Sequence, residues 1–218
     1  MKRLLIGTNN PSKLRRIKDL LAGLAIECVS PAELGLKIEA PENARDAAGN
    51  ALEKAKAWHQ ATGLPVMTED SGLMLLDLPV DHPDQPGVHV RRVAGHEMSD
   101  DEMIKWYSGI AHRHGGSLRA AWQDAWCILA DQERYSQFVD DPEKSAGWIF
   151  LLVDKPCEAR HSGWPLDSLS VGLHNGKYKA EMTIADMDAS FTNERVNGNE
   201  QREKLKQWMR SSITEMIL

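Results

Sequence analysis

The sequence predicts an α/β protein with a mixed central sheet flanked by helices, and three observations predict it. An apolar run, Leu4-Leu5-Ile6, stops at Gly7 and is followed at once by helical spacing. Helix and strand patterns then alternate as far as His114. From Arg119 to Val153, strand patterns follow one another with no helix between them. Alternation gives parallel strands joined by helical crossovers, and a run of strands gives antiparallel pairing.

The first strand is Leu4-Leu5-Ile6, short and apolar, with Gly7 as its turn. Asn10-Pro11 opens a helix, since Asn caps free backbone N–H groups and Pro suits the first helical position. Leu14, Ile17, Leu20, Leu21 and Leu24 recur at helical spacing, and Gly23 is the stop. A second helix is expected over about Glu42 to Thr62, ended by Gly63 and Pro65. Its apolar face is Ala44, Ala47, Ala48, Ala51, Ala55 and Trp58, small enough for close packing on a sheet. Pro65-Val66-Met67-Thr68 reads as a strand that ends at Glu69-Asp70-Ser71-Gly72. Ser99-Asp100-Asp101-Glu102 is a capping box, opening a helix that runs to about His114. Trp122 to Leu129, Tyr135 to Phe138 and Trp148 to Val153 read as three strands, with turns at Asp131-Gln132 and Asp140-Asp141-Pro142. A last helix spans about Asn199 to Met216, with Leu205, Trp208, Met209, Ile213 and Met216 on one face. The whole chain, 1–218, reads as one domain.

Charge and composition narrow the function. With 26 Lys+Arg against 32 Asp+Glu, the net charge of −6 argues against a broad grip on nucleic acid, while leaving room for a local basic pocket. The longest apolar run, Trp148 to Val153, is far short of a membrane span. The apolar part of the N-terminus is too short for a signal peptide. Cys28, Cys127 and Cys157 are widely spaced and form no CxxC, so a reducing cytoplasm is expected, with each Cys a small buried hydrophobe.

Three segments carry candidate chemistry. Gly7-Thr8-Asn9-Asn10-Pro11-Ser12-Lys13 joins a strand to a helix N-terminus, where free N–H groups favour phosphate. Thr8, Asn9, Asn10 and Ser12 add polar side chains and Lys13 a full charge, although the loop is no Walker A motif. Glu69-Asp70-Ser71-Gly72 places two carboxylates at a strand's end, where open α/β sheets bind ligands. Neighbouring strand residues point to opposite faces, so only one carboxylate easily faces a cleft. Taken locally, the segment fits an Asp-Ser-Gly turn with solvated charges better. Glu42 is either a metal ligand or a first-turn acid complementing the helix dipole. Asn50 and Lys54 share a helix face, which either reaches a site or meets solvent. His82, His89, His96, His112 and His114 lack a metal-binding pattern and are expected at the surface.

The order of these blocks is specific. Thr8-Asn9-x-x-x-Lys13, Glu42, Asn50-Ala51-x-x-Lys54-Ala55, Glu69-Asp70-Ser71-Gly72-Leu73, then Pro86-Gly87-Val88 and Arg92 resemble the inosine triphosphate pyrophosphatase family. The resemblance is close over Lys2 to Gly95 and holds for the middle strands as pattern. It implies an elongated mixed sheet in two lobes with a cleft, and a homodimer. It also implies Mg2+-dependent hydrolysis of deaminated purine nucleoside triphosphates to the monophosphate and pyrophosphate.

In that reading Thr8, Asn9 and Lys13 grip the triphosphate, and Glu42 and Asp70 position magnesium with Glu69 close by. Asp70 activates the attacking water and Ser71 touches the substrate. The C-terminal part departs from the family. Gly163-Trp164-Pro165-Leu166-Asp167 stands where members carry Phe-Gly-Tyr-Asp-Pro, and no Ser-His-Arg follows Ala180-Glu181-Met182. Trp164 stacks on a base or fills the core. Asp167 accepts from a ring N–H or sits in a turn. Lys177 meets phosphate or solvent. The rival readings are the same chemistry on another base, and a nucleotide-binding protein that has lost catalysis.

Overall fold

The computed structural model describes residues 1–8, 11–38, 40–92, 95–143 and 149–218, and of residues 11, 12, 184 and 187–199 only the backbone. Asn9 and Asn10 lie outside the described residues, as do the side chains of Ser12 and of the 193–199 segment. Trp148 falls outside them too.

The elements run β1 (Lys2–Ile6), α1 (Pro11–Leu20), β2 (Ile26–Val29), α2 (Ala47–Thr62), β3 (Val66–Leu75), α3 (Asp100–Arg113), β4 (Ser117–Leu129), β5 (Tyr135–Val139), β6 (Phe150–Val153), β7 (Ser170–Gly172) and α4 (Ile184–Met216). The strand order is β2-β1-β3-β4-β6-β7, with β5 also paired to β4. β1 is parallel to β2 and β3, whereas β4–β5, β4–β6 and β6–β7 are antiparallel, so the sheet is mixed as expected. The chain divides into two compact units. Unit 1 is Met1–Ser71, Asp124–Asp140 and Gln201–Leu218, and unit 2 is Gly72–Gln123 and Asp141–Glu200.

In unit 1 the pleat sorts side chains onto two faces. Leu4, Ile6, Met67, Trp126 and Ile128 pack against Ile17 and Leu20 of α1 and Leu205, Met209 and Ile213 of α4. Leu5, Val66, Cys127 and Leu129 pack on the other face against Ala51, Ala55 and Trp58 of α2. The small side chains of α2 let it lie close to the strands. A Cβ on Gly7 would come within 2.7 Å of Trp58 Cδ1, so only glycine fits where β1 passes the helix.

Unit 2 packs Leu73, Leu75, Leu118, Ala120 and Leu152 against Met103, Tyr107 and Ile110 of α3. Burial pushes the Tyr107 phenol well above its usual pKa, while its OH donates to Val90 O at 2.8 Å. The capping box of α3 is present. Ser99 Oγ accepts from Glu102 N, and the Glu102 carboxylate accepts from Ser99 N.

Four expectations change. The second helix starts at Ala47, not Glu42, because Asp46 adopts an extended cap and its Oδ1 accepts from Gly49 N at 2.7 Å. Glu42 therefore lies in the preceding loop and is no first-turn acid. β3 does not end at Glu69-Asp70-Ser71-Gly72 but runs through them to Leu75, so there is no Asp-Ser-Gly turn. The last helix begins at Ile184, because Thr183 and Asp186 cap it reciprocally (Asp186 N to Thr183 Oγ1 3.2 Å, Thr183 N to Asp186 Oδ2 3.0 Å). The short strands β2 and β7 were not foreseen. The cysteines are free, and Cys127 is fully buried with its thiol pushed up to about 12 by that burial.

Candidate active site

Glu69 and Asp70 are consecutive on β3, so their side chains leave opposite faces of the sheet. Glu69 shares the face of Met67 and meets α1; Asp70 shares the face of Val66 and meets α2. Both are buried despite their charge. A buried carboxylate needs hydrogen bonds and a counter-charge, and each has its own set.

On the α2 face, Lys54 Nζ donates to Asp70 Oδ1 at 2.6 Å and Asn50 Nδ2 donates to Asp70 Oδ2 at 3.0 Å. One helical turn separates Asn50 from Lys54, which puts both over the same strand residue. Asn50 Oδ1 accepts from Ala44 N at 2.9 Å, so its amide is locked from both ends. Thr68 Oγ1 donates to Ala51 O at 2.6 Å and pins β3 to the helix beside this pair. Lys54 Nζ also lies 2.7 Å from Glu42 Oε1. One ammonium thus bridges the two carboxylates for which metal binding was expected. Burial works against the Lys54 charge, but the hydrogen bonds to Asp70 and Glu42 outweigh it and hold the ammonium above its ordinary pKa.

On the α1 face, Arg16 Nη2 donates to Glu69 Oε1 at 2.6 Å and Lys13 Nζ lies 3.4 Å from the same oxygen. The Arg16 guanidinium sits 4.9 Å from the Trp126 ring centroid, a cation–π contact, and its Nη1 is 3.8 Å from Asp124 Oδ2. Ser71 Oγ donates to Asp124 Oδ1 at 2.7 Å. Glu69 Oε2 is buried and has no hydrogen-bond partner among the described residues. Burial raises the Glu69 pKa, and Lys13 only partly offsets it. Asp140 is raised to about 7, first by burial and then by repulsion from Asp124.

Lys13 therefore meets Glu69, not Asp70, and the acidic pair serves two separate cation clusters. Arg16, Asp124 and Asp140 were missed at the sequence level. Arg16 follows Lys13 by one helical turn, and Asp124 shares the strand parity of Trp126; those spacings were the available signals. Thr8 closes β1, with its N–H bonded to Ile6 O at 2.8 Å.

The remaining residues belong to unit 2. Trp164 is 62% exposed, which overturns the reading of a core side chain. Asp167 is paired with Lys179 at 3.0 Å and His161 at 3.1 Å. Lys177 Nζ is 2.5 Å from Asp186 Oδ1, so it helps to close the cap of α4. Gly72 and Gly87 meet backbone to backbone. Leu73 N donates to Gly87 O at 2.8 Å, and a Cβ on Gly72 would lie 2.9 Å from that oxygen. His82 and His114, expected as separate surface groups, come together around Asp84.

The donor set suits magnesium, which takes one or two carboxylates and completes its shell with water and phosphate oxygens. The Glu42 and Asp70 oxygens already converge on one cationic group, Lys54.

A mixed α/β sheet whose central strand carries two buried carboxylates, each paired with cations from a flanking helix, is the class of fold and site this chain has. The chain belongs to the Ham1 family, whose model matches residues 4–189. It is 36% identical to a dITP/XTP pyrophosphatase of Pectobacterium atrosepticum, over 87% of this chain and 91% of that one. It is 29% identical to a dITP/XTP pyrophosphatase of Yersinia pseudotuberculosis over the same shares. A Ham1 protein of Coxiella burnetii has the same fold, with a TM-score of 0.67 at 21% identity, covering 97% of this chain and all of that one. Among the described residues no helix is long and apolar enough to cross a membrane.

Proposed function

We propose that this chain is a Mg2+-dependent nucleoside triphosphate pyrophosphatase, acting in the cytoplasm on deaminated purine nucleotides. The carrying observation is the Glu42–Lys54–Asp70 bridge with Asn50 fixing Asp70. It is supported by membership of the Ham1 family and by relatives named dITP/XTP pyrophosphatase.

The division of labour follows from the two faces. Asp70, oriented by Asn50 and Lys54, is the group that takes the proton from the attacking water. Glu42 and Asp70 would hold magnesium, whose chemistry is to neutralise charge on the triphosphate. Lys54 moves from bridging carboxylates to meeting phosphate oxygens, since its ammonium already lies 2.7 Å from Glu42 and 2.6 Å from Asp70. β1 ends at Ile6 opposite Met67, so Glu69 and Asp70 run past its end and a triphosphate can reach both faces of β3 there; Lys13, with Arg16 beside it, Thr8 and the loop with Asn9, Asn10 and Ser12 bind the leaving pyrophosphate. Ser71 is set by Asp124 to touch the substrate. The exposed Trp164 ring supplies a stacking surface for a base, and Asp167 with Lys177 makes up the polar remainder of that part.

The test is a substrate panel of inosine, xanthosine, guanosine and pyrimidine triphosphates with and without Mg2+, with products identified. Monophosphate and pyrophosphate from inosine or xanthosine triphosphate support the proposal. Faster turnover of another base keeps the chemistry and changes the substrate. Tight binding without product makes the chain a binding protein.

A further inference from the structure

His82, Asp84 and His114 offer one ligand atom each, all within 4.8 Å of one another. They belong to unit 2, and none has a part in the nucleotide chemistry above. We propose that these three residues form a binding site for a divalent transition metal of the zinc type, distinct from the magnesium ligands Glu42 and Asp70.

The chemistry of the donors selects the metal. Two imidazoles and one carboxylate suit zinc and its first-row neighbours, whereas magnesium requires oxygen ligands. Three protein ligands leave one tetrahedral position for water.

The surroundings hold the three groups in place. His114 is the C-cap of α3, and its N–H bonds back to Ile110 O and Ala111 O. A helix C-terminus carries partial negative charge and favours a cation beside it. His82 and Asp84 lie in a tight loop, where His82 N donates to Pro79 O at 3.0 Å and Gln85 N donates to His82 O at 2.9 Å. The Gln85 side chain ties that loop to β3, accepting from Leu75 N at 2.9 Å and donating to Leu75 O at 2.8 Å.

A second partner fixes the orientation of Asp84, as in established metal sites. Arg113 Nη2 donates to Asp84 Oδ1 at 2.6 Å and leaves Oδ2 turned to His114. Asp84 N donates to His82 Nδ1 at 3.1 Å, so that nitrogen holds the ring's lone pair and is the one a metal would take over from the backbone N–H. The two rings meet edge-on, with centroids 5.3 Å apart and planes at 71°.

A hydrogen bond joins His114 Nε2 to Asp84 Oδ2 across 2.8 Å. Two metal bonds of about 2.0–2.1 Å at a tetrahedral angle need that gap to open by roughly half an ångström, a rotamer-scale adjustment for half-buried side chains. Zinc would displace the proton there and staple the Pro79–Pro86 loop to the end of α3.

Isothermal titration of the chelator-treated full chain with Zn2+, and visible absorption with Co2+, test the site. One equivalent is expected, with a higher melting temperature for the loaded protein. His82→Ala and His114→Ala are each expected to weaken binding by at least about a hundredfold, the upper end of what losing a merely supporting group costs. His114→Gln can keep a hydrogen bond to Asp84. It is expected to melt like the metal-free wild type, while its binding is weakened like that of His114→Ala. The Glu42→Gln/Asp70→Asn double variant is expected to bind zinc as the wild type does. No stoichiometric binding, or binding untouched by the histidine variants, overturns the proposal.

Discussion

Glu69 and Asp70 adjoin in sequence yet, among the described residues, take different cations: Glu69 Oε1 takes Arg16 at 2.6 Å and Asp70 Oδ1 takes Lys54 at 2.6 Å, from opposite faces of β3. Strand alternation makes this unavoidable. Two carboxylates that would repel if they met are kept apart by the sheet, and each has its own cation.

Asp70→Asn removes the proposed base and keeps its shape. Turnover is expected to fall about 10²- to 10⁴-fold, the usual worth of a positioned general base. Pyrophosphate release checks it, with circular dichroism confirming that the fold survives.

Lys54→Met leaves Glu42 and Asp70 facing each other without the ammonium. The variant is expected to lose about 1–3 kcal/mol of stability, the cost of stranding a mostly buried charged acceptor. Millimolar Mg2+ should then raise its melting temperature more than it raises that of the wild type. Differential scanning calorimetry reads both effects.

Gly72→Ala pushes a Cβ to 2.9 Å from Gly87 O, a backbone atom that cannot swing aside. An expected loss of about 1–3 kcal/mol, typical of overpacking, is read as a lower urea midpoint.

The Asp140 carboxyl supplies a pH signature. Its folded pKa, about 7, lies above the 3.8 of a free Asp, so the folded state holds a proton that the unfolded state releases. Its contribution is fully present below about 3.8 and is lost as pH rises through about 7. Asp140→Asn cannot ionise. Its melting temperature should gain on the wild type between pH 4 and pH 7, and the difference should then level off.

The fold was legible where periodicity was strong. Leu4-Leu5-Ile6, the leucines of α1, the alanines of α2 and the Ser99–Glu102 box each state their element locally. β3 was cut short because Glu, Asp, Ser and Gly have poor strand propensity, and Lys13, Arg16, Asn50, Lys54 and Asp124, brought in from distant sequence, make a buried strand of them. β2 and β7 are too short to show a period. The Glu42, Lys54 and Asp70 group was legible through spacing and resemblance. Its mode of assembly was not, since the bridge depends on where the loop before Asp46 folds. The histidines around Asp84 were invisible because 30 positions separate Asp84 from His114.

The most direct measurement is phosphorus NMR of inosine triphosphate incubated with the protein and Mg2+. The account predicts that the β- and γ-phosphorus signals leave together as pyrophosphate, with inosine monophosphate left behind, and that both products form about 10²- to 10⁴-fold more slowly with Asp70→Asn. Inorganic phosphate with inosine diphosphate, or an unchanged triphosphate across the whole nucleotide panel, would contradict it.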